Sequence, residues 1–413
     1  MRRALALARE GIALSAPNPC VGAVIVDANG QVIGEGTHTY EGVKHAEVLA
    51  MEVATHAGHG LRGATLYLNL EPCCHTGRTG PCVDAVIAAG IARVVMAIRD
   101  PNPQVSGRSV EKLRAAGIEV IEGELEDEAR KLNESFAKFI RHRLPLVTLK
   151  AAMTLDGKIA PPPGDSVHPA TSAPYGSSGG WITSEPARAH VQEQRHASDA
   201  IMVGVGTVIA DDPLLTDRTG GPRRRPLLRI ILDSLLRLPL DARVVKTANS
   251  DVLVLCAFAE ETKKRALEER GIRVEQIALP STTAVESPMI RRMPARRRTG
   301  TGKPIRETPT AEAVNYARPD LHRAMARLGE MEITSLLIEG GALVNWAALA
   351  AGVVDKVFLY YAPKILAGTG SVPFAAGMGF RKLSEAAQVN QITIHRFGDD
   401  FAVEGYLRDP YRD

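Results

Sequence analysis

The chain has 413 residues, 45% apolar and 23% charged, a composition that suits two or three folded domains. Lysine and arginine (50) nearly balance aspartate and glutamate (47), leaving a net charge of +3, and aromatics are only 4%. The balance argues against a general polyanion binder, and the few aromatics argue against a surface that stacks single-stranded bases.

The opening apolar run, Ala4–Ala8, is broken by Arg9 and Glu10, too soon for a signal-peptide core. No run reaches the length of a membrane span. Strands are predicted at Val21–Val26 and Val32–Gly36, joined by an Asn29-Gly30 hairpin turn. Helix Lys44–His56, strand Ala64–Leu70, helix Cys82–Ala89 and strand Ala92–Ile98 follow. Helix Ser109–Ala116, strand Ile118–Ile121 and one long amphipathic helix, Glu124–His142, complete a layered α/β domain. Pro145 closes it, so the domains are predicted as 1–144 and 145–413.

The second part begins with strand Leu146–Ala152 and continues with helix Glu185–Ala197 and strands Ala200–Val203, Leu228–Asp233 and Val252–Cys256. Helix Glu260–Arg270, strand Ile272–Gln276, helix Leu321–Leu328, strand Ser335–Ile338 and helix Ala342–Ala351 follow. Strands Lys356–Tyr361, Gln391–Phe397 and Phe401–Leu407 give an antiparallel end. Two stretches, 161–180 and 280–319, read as flexible insertions. The second carries an Arg-rich segment, 285–306, taken as a solvated insertion because no aromatic residue accompanies the charge.

The strongest chemical signal is His45-Ala46-Glu47 followed by Pro72-Cys73 and Pro81-Cys82. Catalytic Zn²⁺ takes three protein ligands and keeps one open position. His45, Cys73 and Cys82 supply those ligands, and Glu47 is the free carboxylate that moves a proton. The start of the helix at Cys82 helps hold its thiolate. A structural site with Cys74 or His75 as fourth ligand is the alternative; it strains adjacent cysteines or leaves Glu47 without a role. Zinc nucleobase deaminases share His-x-Glu and Pro-Cys, but with a shorter gap between cysteines. Clustered thiols imply a reducing, cytoplasmic setting. Cys20 and Cys256 are given no chemical role, nor are His56 and His59.

These motifs resemble the bifunctional deaminase/reductase family of riboflavin biosynthesis. The likeness rests on Pro17-Asn18-Pro19-Cys20-Val21-Gly22, His38, Gly42 to Glu47, Glu71 to Cys82 and Asp100 to Gly107. It extends through Lys150 to Lys158, Trp181 to Ser184, Gly206 to Thr216 and Glu339-Gly340-Gly341. Gly80 and Gly179 stand where the family is expected to carry Pro and a substrate-contacting Ser. The resemblance implies a cytidine-deaminase-like three-layer domain followed by a dihydrofolate-reductase-like α/β domain.

It also implies zinc-dependent deamination of 2,5-diamino-6-ribosylamino-4(3H)-pyrimidinone 5′-phosphate, then NADPH-dependent reduction of the ribosyl chain to ribityl. Met153, Trp181, Thr207, Asp211, Gly341, Ala342 and Leu343 would bind NADPH. Arg195, Leu215, Arg218 and Glu339 would bind substrate. The implied partner is a small phosphoribosyl pyrimidine, with no nucleic acid and no membrane, on a homo-oligomer of two or more chains.

Overall fold

The computed structural model describes residues 1–75, 80–162, 180–277 and 318–412. Most of the two predicted insertions, with Gly179, falls outside the described residues.

The first half comprises α1 (Arg2–Arg9), β1 (Gly22–Val26), β2 (Val32–Thr37), α2 (Ala46–His56), β3 (Thr65–Leu70) and α3 (Cys82–Ala88). β4 (Arg93–Ile98), α4 (Arg108–Ala115), β5 (Glu119–Glu122), α5 (Glu126–Leu132) and α6 (Glu134–His142) follow. Its five-stranded sheet runs β2-β1-β3-β4-β5, antiparallel at the first two junctions and parallel at the last two. Alternation along β1 explains the layering. Val24 faces α1 at Ala4 and Leu7, while Ala23 and Ile25 join the core with Ala50, Met51, Val83 and Val86 of α2 and α3. β2 reads Val-Ile-Gly-Glu-Gly-Thr because a Cβ at Gly34 or Gly36 would strike the carbonyls of Ala50 and Ala46. The glycines let α2 lie directly on the strand and fix where its first turn points.

The second half comprises β6 (Leu146–Thr154), β7 (Lys158–Ala160), α7 (Glu185–Ala197), β8 (Ala200–Gly204), α8 (Val205–Asp211), β9 (Leu228–Leu232) and α9 (Arg243–Lys246). Next come β10 (Val252–Cys256), α10 (Glu261–Glu268), β11 (Ile272–Gln276), α11 (Leu321–Glu330), β12 (Ser335–Ile338) and α12 (Ala342–Ala350). β13 (Lys356–Ala362), β14 (Val372–Pro373), β15 (Asn390–Phe397) and β16 (Asp400–Tyr406) end it. Nine strands form one sheet, β11-β10-β9-β8-β12-β6-β13-β16-β15, parallel from β11 to β13 and antiparallel beyond. Both faces of the parallel part are covered. Met202, Ile230 and Leu255 pack with Met325 and Leu328 of α11, while Ile201, Ile231 and Val254 pack with Val208, Val244 and Leu267 on the other side.

One sequence expectation changes, and helices appear that the sequence pattern did not mark. The segment Arg2–Arg9 is a packed helix. Gly204-Val205-Gly206-Thr207 opens α8, a helix absent from the predicted elements. The long helix Glu124–His142 is two helices, because Asn133 leaves helical geometry at φ −109°. Its carboxamide accepts from Cys20 N at 2.8 Å and donates to Cys20 O at 3.0 Å. This two-point clamp on a distant loop outweighs the regular ladder.

α6 joins the halves through buried charge. Lys356 lies between Glu134 at 2.5 Å and Glu404 at 2.8 Å, and Lys138 meets Asp355 at 3.1 Å.

Candidate metal centre and candidate nucleotide site

In the first half, three loops converge at the N-terminal ends of α2 and α3. His45 is the N-cap of α2, Cys73 follows β3, and Cys82 begins α3. His45 Nδ1 lies 3.1 Å from Cys82 Sγ and 3.5 Å from Cys73 Sγ, and all three donor atoms fall within 4.8 Å of one another. Among the described residues no other group gathers this way, and Cys74 packs instead against the apolar core. Cys82 N–H at the start of α3 donates to Cys73 Sγ at 3.2 Å. The helix end therefore supports the thiolate of Cys73, where the sequence suggested Cys82 itself. The hydrogen bond from the Cys82 thiol is the first cause drawing Cys73 down to about 4.

Glu47, in the first turn of α2, is 3% exposed, and its Oε2 has no hydrogen-bond partner. Burial pushes its carboxyl up to about 7. An orphaned carboxylate oxygen beside an imidazole and two thiols fits a zinc ion with one open position.

The surrounding loops are tied down by side chains that are themselves buried. Glu71 accepts from the backbone N–H of Asp100, Gly107 and Ser109 at 2.9–3.1 Å, and Ser109 Oγ donates to Pro72 O at 2.5 Å. The Glu71–Pro72 pair thus anchors Cys73. Asn69 holds Cys20 O and Gly22 N in the same way. Cys20 has no ligand role, and burial pushes its thiol up to about 12. Gly80 has open space where a side chain would stand.

In the second half, Glu339 follows β12 and is nearly buried. Arg195 of α7 grips it with Nε and Nη2 at 2.7 and 3.1 Å, and Lys150 of β6 adds a contact at 3.3 Å. Burial alone would push the Glu339 carboxyl up; the charges of Arg195 and Lys150 overcome that and hold it at about 2. Arg195 Nη1 also donates to Thr216 O, next to buried Leu215, whose φ is +57°. Arg195, Glu339 and Leu215 thus assemble, while Arg218 is exposed on the following loop with its N–H on Gln192. Lys150 is the residue sequence reading passed over. A lysine in the apolar strand Leu-Val-Thr-Leu-Lys-Ala-Ala-Met-Thr needs a buried partner, which was the available signal.

Gly341 caps α12, and a Cβ there would stand 3.1 Å from Thr207 Oγ1 in the first turn of α8. Gly206 faces open space. Two helix starts therefore meet at the C-terminal ends of adjacent parallel strands, where backbone N–H groups favour phosphate. Ala342 is buried and Leu343 is exposed; Asp211 lies one turn beyond Thr207 at the surface. Met153 is buried near the end of β6. Trp181 is half-exposed beneath the Arg188 guanidinium, with its carbonyl held by Lys364. This open, glycine-lined meeting of helix starts fits a dinucleotide phosphate.

The fold and the two sites define a zinc deaminase joined to an α/β reductase. The family model described as the cytidine and deoxycytidylate deaminase zinc-binding region matches residues 1–98, and that of the RibD C-terminal domain matches residues 145–403. A riboflavin biosynthesis protein RibD from Actinobacillus pleuropneumoniae is 38% identical, covering 99% of this chain and 95% of the relative. That from Escherichia coli is 36% identical, with 97% and 96% covered. A crystal structure from Thermotoga maritima, titled a diaminohydroxyphosphoribosylaminopyrimidine deaminase/5-amino-6-(5-phosphoribosylamino)uracil reductase, superposes with TM-score 0.73 at 35% identity over 98% of this chain and 97% of that one. The chain belongs to the RibD family and is a bifunctional deaminase and reductase of riboflavin biosynthesis, using zinc and NADPH.

Proposed function

We propose that the chain deaminates 2,5-diamino-6-ribosylamino-4(3H)-pyrimidinone 5′-phosphate in its first half, residues 1–144, and reduces the product's ribosyl group in its second, residues 145–413. His45, Cys73 and Cys82 hold the zinc. When bound, it supplies a water acidified to a pKa of about 7. Glu47 accepts that water's proton as oxygen bonds to C2 of the pyrimidine, then passes it to the departing amino group. Water and the amine become the carbonyl product and ammonia.

In the second half, Arg195, Leu215, Arg218 and Glu339 hold the phosphoribosyl substrate. Met153, Trp181, Thr207, Asp211, Gly341, Ala342 and Leu343 hold NADPH, which supplies hydride when bound. The task of the site is alignment of C1 of the sugar against that hydride, so rigidity matters more than a strong acid or base. Lys150 and Arg195 keep Glu339 ionised and fixed in direction. We also assign the chain to a reducing cytoplasm, on its five free thiols, and to a homo-oligomer, on family resemblance. Among the described residues no helix is long and apolar enough to cross a membrane.

The orphaned Oε2 of Glu47 carries the deaminase reading. Glu47→Gln should abolish ammonia release while zinc stays bound and NADPH oxidation on the deaminated substrate persists. An unchanged rate of ammonia release would remove Glu47 from the mechanism.

A further inference from the structure

We propose that Arg224, supplied by the reductase half, is a positioning residue for the deaminase site. The proposal rests on the zinc-site reading above. Arg224 precedes β9 at the N-terminal edge of the nine-stranded sheet, the end away from Glu339, Gly341 and Thr207. It reaches back across about 200 residues of sequence to two segments of the first half. Its backbone N–H donates to Ala13 O at 2.9 Å, and its Nη1 donates to Ala16 O at 2.7 Å. Its Nε lies 3.3 Å from Glu41, and its guanidinium sits 3.4 Å from the centroid of the Tyr40 ring.

Both segments lead through His38 to one metal ligand, His45. Two residues beyond Ala16, Asn18 Nδ2 lies 3.1 Å from His38 Nε2. Two residues before Tyr40, His38 places its ring 5.2 Å from that of His45, nearly perpendicular, with Nδ1 3.1 Å from Lys44 O. Ser15 Oγ donates to His38 O and Tyr40 N–H to Leu14 O, so the two segments move as one. Arg224 clamps that pair from outside.

The clamp stands at an open seam. A cavity of about 340 Å³ opens beside it, lined by Ala13, Ala16, Arg223, Arg225 and Arg273 among others, so the seam here is not closed by packing. The neighbouring Arg223 points the opposite way. Its Nη1 and Nη2 bind the carbonyls of Arg195, His196 and Ser198 at the end of α7, on the reductase side. Adjacent arginines thus brace one site each.

The experiment compares Arg224→Ala and Arg224→Lys with the wild type. Ammonia release, NADPH oxidation on the deaminated substrate, zinc content and melting temperature are read for each. Lysine keeps the charge but cannot make the fork or the stacked contact. In both variants, kcat/KM for deamination should fall about tenfold, chiefly through KM. Zinc content and the reductase parameters should stay at wild-type values. Deamination unchanged beside an active wild type overturns the proposal. So does a joint loss of both activities, zinc and melting temperature, which would make Arg224 a structural strut only. A wild type that releases no ammonia would remove the zinc-site reading and this inference with it.

Discussion

The two halves build their sites by opposite strategies. The deaminase corner collects His45, Cys73 and Cys82 from two helix starts and one loop, all within 37 residues of sequence. The reductase floor joins Lys150 to Glu339 across 189 residues and Arg195 to Glu339 across 144. The first site is local chemistry set into a scaffold. The second exists only once the long sheet has formed, because its ion cluster joins the adjacent strands β6 and β12 to α7. The difference teaches that a short-range donor set can be recognised from its residue types. A long-range charge cluster is recognised only by what it would cost to leave a charge unpaired.

The largest effect that could break this comparison comes from Cys82→Ser. Losing a thiolate ligand should eliminate bound zinc and lower ammonia release by about a thousandfold or more. NADPH oxidation on the deaminated substrate should stay at the wild-type rate. Coupled loss of both activities would show that the local site is not local. Glu339→Gln tests the other half. It leaves Arg195 and Lys150 buried without their partner, which should cost about 3–5 kcal/mol in urea unfolding and suppress NADPH oxidation while sparing deamination.

A pH experiment sharpens the same contrast. Glu339 and Glu404 are both held down at about 2, so each stabilises the fold fully above the ordinary carboxyl pKa of about 4.3. That contribution drains away as pH falls from there toward about 2. Melting temperature should drop across that window, and Glu339→Gln should flatten part of the slope. The smallest expected effect is Gly30→Ala in the β1–β2 hairpin, where φ is +84°. It should cost about 1 kcal/mol and alter neither rate.

Much of the fold was readable because hydrophobic period and turn chemistry agreed. The Asn29-Gly30 hairpin, the strand Val252–Cys256 and helix Glu185–Ala197 fall where the pattern puts them. Failures occurred where a tertiary partner overrode a local preference. The break at Asn133 is invisible locally, since its partner, Cys20, is 113 residues away. α8 opens with Gly204-Val205-Gly206, a poor helix former by propensity, yet Val205 and Val208 bury it against the sheet. At the metal site the ligands and Glu47 were legible from residue types. Which sulfur the helix end supports was not, because it depends on where Cys82 N–H points. In the reductase half, Lys150 was present in the motif, but its role emerged only with Glu339 beside it.

A joint sealed by charge behaves unlike one sealed by oil. Lys356, enclosed by Glu134 and Glu404, gains its favourable energy in one alignment only; a small slip would strand three ions away from water. Oil tolerates sliding, whereas such a cluster acts as a detent that either holds its angle or releases altogether. The cluster between α6, β13 and β16 therefore resists a change in the angle at which the two halves meet.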